Sequence, residues 1–273
     1  MNSSMINAMV SMNGSQQKLD LLADNIANLN TVGYKRKGGT FADLLTTLTN
    51  QPKDFELSGR TSPRGFQLGS GARFLGIQPD LSQGALVQTN EPFDLAIAGD
   101  ALFELQTKEG KRAYTRNGAM QLTIDQTSRI AYLTTKDGYT VVGTDGNRIE
   151  IPKEADSVRI EEDGSVFGVT TSGRPFTLGQ IRLVKVTNPA MLSQVADNLF
   201  VIAEGMNENN VLQRAVAGVD SDISIRQGYI EQSNVNMTEE MTELINVQRA
   251  YQLSARALTS SDTMMGLANN LRG

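Results

Sequence analysis

From Met237 to Met265 a large apolar side chain recurs at every seventh position: Met237, Leu244, Tyr251, Leu258 and Met265. The N-terminus repeats the pattern with Met5, Met12, Leu19 and Ile26. A step of seven returns an α-helix almost to the same face, with a drift of about 20° each time. A seam this narrow suits a coiled coil or bundle helix rather than the broad stripe of a globular helix. Both ends of the chain are therefore expected to be helical and to pair, and the middle must fold on other terms.

The first helix is expected over residues 4–30. Met5, Met9, Met12, Leu19, Leu22, Ala23, Ile26 and Leu29 keep helical spacing, and Ser3 or Ser4 is placed to cap its start. Asn25, Asn28 and Asn30, followed by Thr31, Val32 and Gly33, signal its end, because Asn and Gly tolerate the left-handed conformation that closes a helix. Met and Ala stand where Leu would be usual, which makes a soft, adaptable surface. The last helix is expected from Asn236, with Glu239 placed as in a capping box. Acidic Glu239, Glu240 and Glu243 come early and Arg249, Arg256 and Arg272 late, the polarity that suits the helix dipole. At 1.5 Å per residue, about 35 residues make a rod about 50 Å long.

Between the ends the periodicity changes. Runs at 94–98, 102–106, 120–124, 130–134, 140–142, 158–160 and 181–186 read as strands. Glu109-Gly110, Asn117-Gly118, Asp137-Gly138, Asp145-Gly146 and Asp163-Gly164 are turn signals between them, since Asn-Gly and Asp-Gly supply the positive φ of tight hairpins. Frequent strands and turns argue an antiparallel β domain. Phe41, Leu44, Leu45 and Leu48 suggest a short helix, and the Gly, Ser, Pro and Arg content of 58–73 an extended or looping segment. Gly205–Asn210 reads as a loop and Ile223–Ser233 as extended. The triplet Lys35-Arg36-Lys37 and the cluster Glu161-Glu162-Asp163 read as solvated charge.

Composition removes much chemistry. The chain has no His, Cys or Trp, so there is no imidazole triad, thiolate nucleophile, disulfide, or zinc site of the usual kind. The missing Cys suits a cytosolic protein, or one that passes outside unfolded and avoids oxidation there. Gly69-Ser-Gly71 lacks the Lys-Ser/Thr ending and the βαβ setting of a phosphate loop. A net charge of -5 without long basic runs argues against nucleic-acid binding. No run approaches the roughly 20 apolar residues of a membrane span, and the N-terminus lacks the form of a secretory signal peptide. An enzyme built on these residues would be limited to carboxylates, such as a cell-wall hydrolase with two acids about 5 to 9 Å apart, and nothing marks such a pair.

Several segments resemble one family. Leu19-Asp-Leu-Leu-Ala-Asp-Asn-Ile-Ala-Asn-Leu-Asn-Thr-Val-Gly-Tyr-Lys35 is similar to the N-terminal signature of bacterial flagellar rod and hook proteins, with Asp24 at its first Asn and Val32 at its usual Pro. Gln227-Gly-Tyr-Ile-Glu-Gln-Ser-Asn-Val-Asn-Met-Thr-Glu-Glu-Met241 and Gln248-Arg-Ala-Tyr251 resemble the other terminal signature. Gln83-Gly-Ala-Leu, Phe93-Asp-Leu-Ala-Ile-Ala-Gly99 and Tyr114-Thr-Arg-Asn-Gly118 match in the middle, in order. The signature positions carried over are Asn25, Ala27, Asn28, Asn30, Thr31, Gly33, Tyr34, Lys35, Ser233, Asn234, Val235, Arg249 and Ala250. Pro63–Gly71 and the chain length resemble the distal-rod members most.

The resemblance implies a structural axial subunit of the flagellar basal body. Such a subunit is exported through the flagellar type III channel and polymerised outside the cytoplasmic membrane, in the periplasm or cell wall. It has no cofactor and no metal. Its partners are other copies of itself, neighbouring rod and hook proteins and the export apparatus, with no nucleic acid and no membrane insertion. A hook-type or proximal-rod subunit of the same family is the alternative. The expected fold is α+β: long terminal helices pairing as a coiled-coil-like layer, with an inserted antiparallel β-rich domain. Residues 1–30 and 236–273 would form the helical part, 31–80 and 212–235 the extended linking segments, and 81–211 the β-rich domain. The seam residues named above would carry assembly.

Overall fold

The computed structural model describes residues 2–43, 47–49, 66–68, 72–107, 109–124, 130–152, 155, 157–170, 174–196, 198–203, 205–218 and 222–270. The extended or looping segment expected over 58–73 lies mostly outside them. The chain divides into two units: Met1–Asn25, Lys37–Gln78 and Met237–Gly273 make one, and Ile26–Arg36 with Pro79–Asn236 the other.

The first unit holds most of helix α1, Asn2–Ala27, and all of helix α3, Met237–Asn270. It also holds a two-stranded ribbon of Lys37–Asp43 with Ala72–Pro79, and a smaller pair, Thr47–Thr49 with Phe66–Leu68. The helix expected around Phe41–Leu48 is therefore corrected, because strands lie on both sides of 44–46. Its i, i+3, i+4 apolar spacing was too short a signal, and pairing with distant strands prevailed over local preference.

The second unit is built on a ten-stranded antiparallel sheet. Its main path runs Glu150–Ile151, Ala131–Thr135, Thr140–Val141, Leu102–Gln106, Arg112–Thr115, Leu199–Ile202 and Leu192–Ala196. Leu183–Val186 also pairs with Leu102–Gln106, in register Leu183 opposite Phe103. A three-stranded sheet, Ser157–Ile160, Ser165–Val169 and Pro175–Gln180, lies in the same unit. Two further pairs join distant parts of the chain: Leu95–Ala98 with Ser224–Gln227, and Leu86–Gln88 with Tyr229–Glu231. The core comprises Leu95, Ile97, Phe103, Leu105, Leu133, Val141, Val166, Leu183 and Ile225, all nearly inaccessible to solvent. Residues 212–235 thus contribute strands to this unit, and the loop expected at Gly205–Asn210 contains a single turn of helix, α2, Glu208–Val211.

The Asp-Gly turns hold: Gly138, Gly146 and Gly164 all have positive φ. Asn117-Gly118 is corrected, because no turn forms there. A Cβ on Gly118 would lie 1.5 Å from the Leu95 carbonyl oxygen, and the Leu95 N–H donates to the Gly118 carbonyl at 2.9 Å. That glycine serves close backbone approach rather than a hairpin.

Candidate assembly interface

The segment after α1 belongs to the β-rich unit and is fastened into it. Thr31 Oγ1 donates to Asn28 Oδ1 at 3.0 Å, and the Thr31 N–H reaches the Asn28 carbonyl at 3.3 Å. Gly33 follows with φ of 69°, and a Cβ there would meet the Asn117 backbone nitrogen at 2.5 Å, so only glycine fits. Its N–H donates to the Glu231 carbonyl at 2.8 Å. Tyr34 and Lys35 are then buried.

Lys35 enters a buried cluster of three charges. Its Nζ lies 2.7 Å from Glu231 Oε1 and also donates to the carbonyls of Ser82 at 2.6 Å and Leu81 at 3.3 Å. The other carboxylate oxygen, Oε2, accepts from Arg116 Nε, and the Gly84 N–H donates to Oε1 at 2.8 Å. Arg116 also donates to the carbonyls of Ala101, Ile97 and Gly99. Two cations thus share one carboxylate, and backbone carbonyl dipoles face the excess positive charge. Burial lowers the Lys35 pKa below the ordinary lysine value; Arg116 adds to the shift and Glu231 opposes it. The expected solvated triplet at 35–37 is corrected here: Lys35 is inside, and Lys37 pairs with Asp24. The partner of Lys35 lies 196 positions away, beyond the reach of any local pattern.

Asn234 completes the junction. Its Oδ1 accepts the Arg36 N–H at 2.7 Å, and its Nδ2 donates to the Asp80 carbonyl at 2.9 Å and to Ser82. Ser233 Oγ accepts the Val235 N–H at 3.3 Å, and Val235 is buried. The two terminal signatures, some two hundred residues apart, therefore meet in one place. Sequence pattern alone gives Glu231, Arg116 and Gly84 no role, yet each lies inside a family-like motif: Gln227–Met241, Tyr114–Gly118 and Gln83–Leu86.

In the helical unit, Asn25 is fully buried. Its Nδ2 donates to the Lys37 carbonyl at 3.0 Å and to Glu240 Oε2 at 3.2 Å, while its Oδ1 accepts the Lys37 N–H at 2.9 Å. One side chain thus joins α1, α3 and the start of the ribbon. A second link between the helices pairs Lys18 with Glu243. Ser11, Gly14, Ser15 and Lys18 of α1 face Asn246, Val247 and Ala250 of α3 across a groove of about 410 Å³.

The seam residues Met5, Met12, Leu19, Ile26, Leu244, Tyr251, Leu258 and Met265 are half-buried, and Met237 is exposed. Deeper burial falls three positions on from each row, at Ala8 and Leu22 and at Glu240, Val247 and Ser261. Of the remaining signature residues, Ala27, Asn30, Arg249 and Ala250 are exposed. Large apolar side chains also stand open to water: Ile6 and Met9 on α1, and Met241, Ile245, Leu253, Met264 and Leu267 on α3.

Three family models match the chain: "Flagella basal body rod protein" over 5–35, "Flagellar hook protein FlgE/F/G D1 domain" over 96–168, and "Flagellar basal body rod FlgEFG protein C-terminal" over 226–271. The flagellar basal-body rod protein FlgG of Bacillus subtilis is 35% identical over 262 residues, covering 96% of each chain. FlgG of Borreliella burgdorferi is 34% identical over 264 residues, covering 96% of this chain and 95% of its own. The chain belongs to the flagellar basal-body rod and hook protein family. Within the family it is most like FlgG, the distal-rod type. A further relative, the flagellar hook-basal body complex protein FlhP of Bacillus subtilis, is 32% identical over 275 residues, covering 98% of this chain and 99% of its own.

This rod-family protein is accordingly a structural axial component of the basal body, located outside the cytoplasmic membrane, and not an enzyme. Each matched segment supplies one member of the ion cluster: Lys35 from the first, Arg116 from the second and Glu231 from the third.

Proposed function

We propose that this rod protein polymerises through its terminal helices into a helical tube that transmits torque, α1 and α3 pairing as a coiled-coil-like layer. The observation that carries the reading is the apolar surface left on those helices. Met237, Met241, Ile245, Leu253, Met264 and Leu267 of α3, with Ile6 and Met9 of α1, are exposed in the single chain. A surface of that extent is covered when subunits meet. A contact between unlike patches that does not close into a ring builds an open helical polymer. The predicted seam residues, half-buried in the single chain except for the exposed Met237, gain cover beside them on assembly. Residues 1–30 and 236–273 act as the polymerising part, and 81–211 is carried with it. The partners are further copies of this chain and the neighbouring rod and hook subunits, and the flagellar type III apparatus exports it. The likeness to FlhP supports a second reading, another axial position in the hook-basal body complex.

Leu244→Asp tests the reading. Leu244 gives about 2 to 3 kcal/mol when fully buried, and an unpaired carboxylate in its place costs several kcal/mol more. Cells carrying this variant alone are expected to make folded protein and no rod, and so not to swim. Gln252→Asp, on an exposed position of α3, is expected to swim. Normal swimming by Leu244→Asp cells would overturn the assembly reading.

A further inference from the structure

We infer that the exposed methionines of the terminal helices form an oxidation-sensitive site, at which sulfoxide formation blocks assembly of the free subunit. The inference rests on the assembly reading above. The chain has 11 methionines and no cysteine, so thioethers are its principal targets for two-electron oxidants. Four of them stand open on α1 and α3: Met9 is 50% exposed, Met237 40%, Met241 43% and Met264 51%. Met120, in the β-rich core, is only 6% exposed. Met237, Met241 and Ile245 follow at successive i+4 positions and make one apolar row over the first turns of α3.

The reactant class is a peroxide. A sulfur lone pair attacks one peroxide oxygen, an S–O bond forms and the O–O bond breaks. The sulfur is oxidised to the sulfoxide, and the peroxide is reduced to water. The product exchanges a flexible apolar group for a strong, polar acceptor. In the single subunit that acceptor is hydrated and the fold is undisturbed. On assembly it must shed water against apolar neighbours that donate no hydrogen bond, which opposes the contact. Assembly in turn covers the sulfur and slows its oxidation, so the site is vulnerable only before incorporation.

The test uses the full chain. Purified monomer is treated with dilute hydrogen peroxide and each methionine followed by peptide mass spectrometry. Met9, Met237, Met241 and Met264 are expected to oxidise at least about tenfold faster than Met120; equal rates would overturn the inference. Cells carrying M237Q/M241Q, which mimics the polarity of the sulfoxide, are expected to assemble at least about tenfold fewer rods than cells carrying M237L/M241L. M264Q gives the same reading from the far end of α3. Circular dichroism of each purified variant is expected to match the parent, which separates lost assembly from lost folding. Full assembly by the Gln variants, or failure of the Leu pair as well, removes the polarity argument. Should Leu244→Asp cells swim, the assembly reading falls; should they not swim while the Gln variants do, this inference alone falls.

Discussion

Glu231→Gln is the sharpest probe of the junction. The change keeps size and shape and removes one negative charge. Lys35 and Arg116, 1% and 2% exposed at their side chains, are then left without their shared anion. Removing one partner of a buried ion pair costs about 3 to 5 kcal/mol, because the charge left behind stays desolvated. Here two cations lose the same partner, which places the expectation at the upper end of that range. One escape limits the cost: Lys35, whose pKa burial already lowers, can shed its proton. A loss of about 4 to 5 kcal/mol is a large part of the 5 to 15 typical of a domain, and corresponds to about 8 to 20 °C in melting temperature. Urea unfolding of the monomer, read by circular dichroism and tyrosine emission, measures it. Adding Lys35→Met to Glu231→Gln removes one of the stranded cations and is expected to recover part of the loss. A Glu231→Gln protein within about 1 kcal/mol of the parent, the level of an exposed pair, would show that the cluster's charge does not hold the junction.

Tyr114 is nearly buried and donates to Glu208 Oε1 at 3.2 Å; burial first, then the Glu208 and Glu104 carboxylates, raise its pKa well above the ordinary phenol value. The folded state therefore keeps a proton that the unfolded state releases above about pH 10, so stability from this group is complete below that pH and is lost as pH rises beyond it. In a 295 nm titration Tyr114 is expected to ionise only with unfolding, and Tyr114→Phe to flatten the alkaline loss; ionisation of Tyr114 at the ordinary value in the folded protein would refute this. Asn25→Ala removes one hydrogen bond each from the Lys37 N–H, the Lys37 carbonyl and Glu240, at about 1 kcal/mol for each bond lost. Hydrogen exchange at the Lys37 amide is expected to quicken markedly, and unchanged exchange would remove Asn25 from its joining role.

The parts of this molecule that could be read from sequence are those whose signals are local. The spacing of Leu244, Tyr251 and Leu258 marks a helix because the period lies within one element, and α3 runs from Met237 to Asn270. Leu102–Gln106, a mostly apolar run, and Met120–Ile124, an alternating one, match their strands end for end. Strands such as Leu86–Gln88 and Ser165–Val169 were not foreseen, because a short run acquires its strand character from its partner. The ion cluster was the least legible feature. Lys35 in a basic triplet looks solvated, and only Glu231 and Arg116, brought from far along the chain, put it inside. What did point to it was the family likeness, whose motifs contain all three charges. Phe41–Leu48 misled for the opposite reason, since its local spacing fits a helix while its pairing partners lie further on.

The ion cluster also dictates an order of events. Asn25 and Lys37 close a loop of 12 residues, whereas Lys35 and Glu231 close one of 196. By the logarithmic cost of loop closure, the longer one is dearer by about 2.5 kcal/mol before any contact repays it. The helix-to-ribbon corner can therefore form early, while the ion cluster forms late in folding, among the contacts that set the pace of a chain rich in long-range pairings. Until residue 231 arrives, Lys35 and Arg116 have no anion to draw them out of water. A chain that stops short of Glu231 consequently keeps both cations hydrated and the β-rich unit open, and is exposed to proteolysis as a complete chain is not.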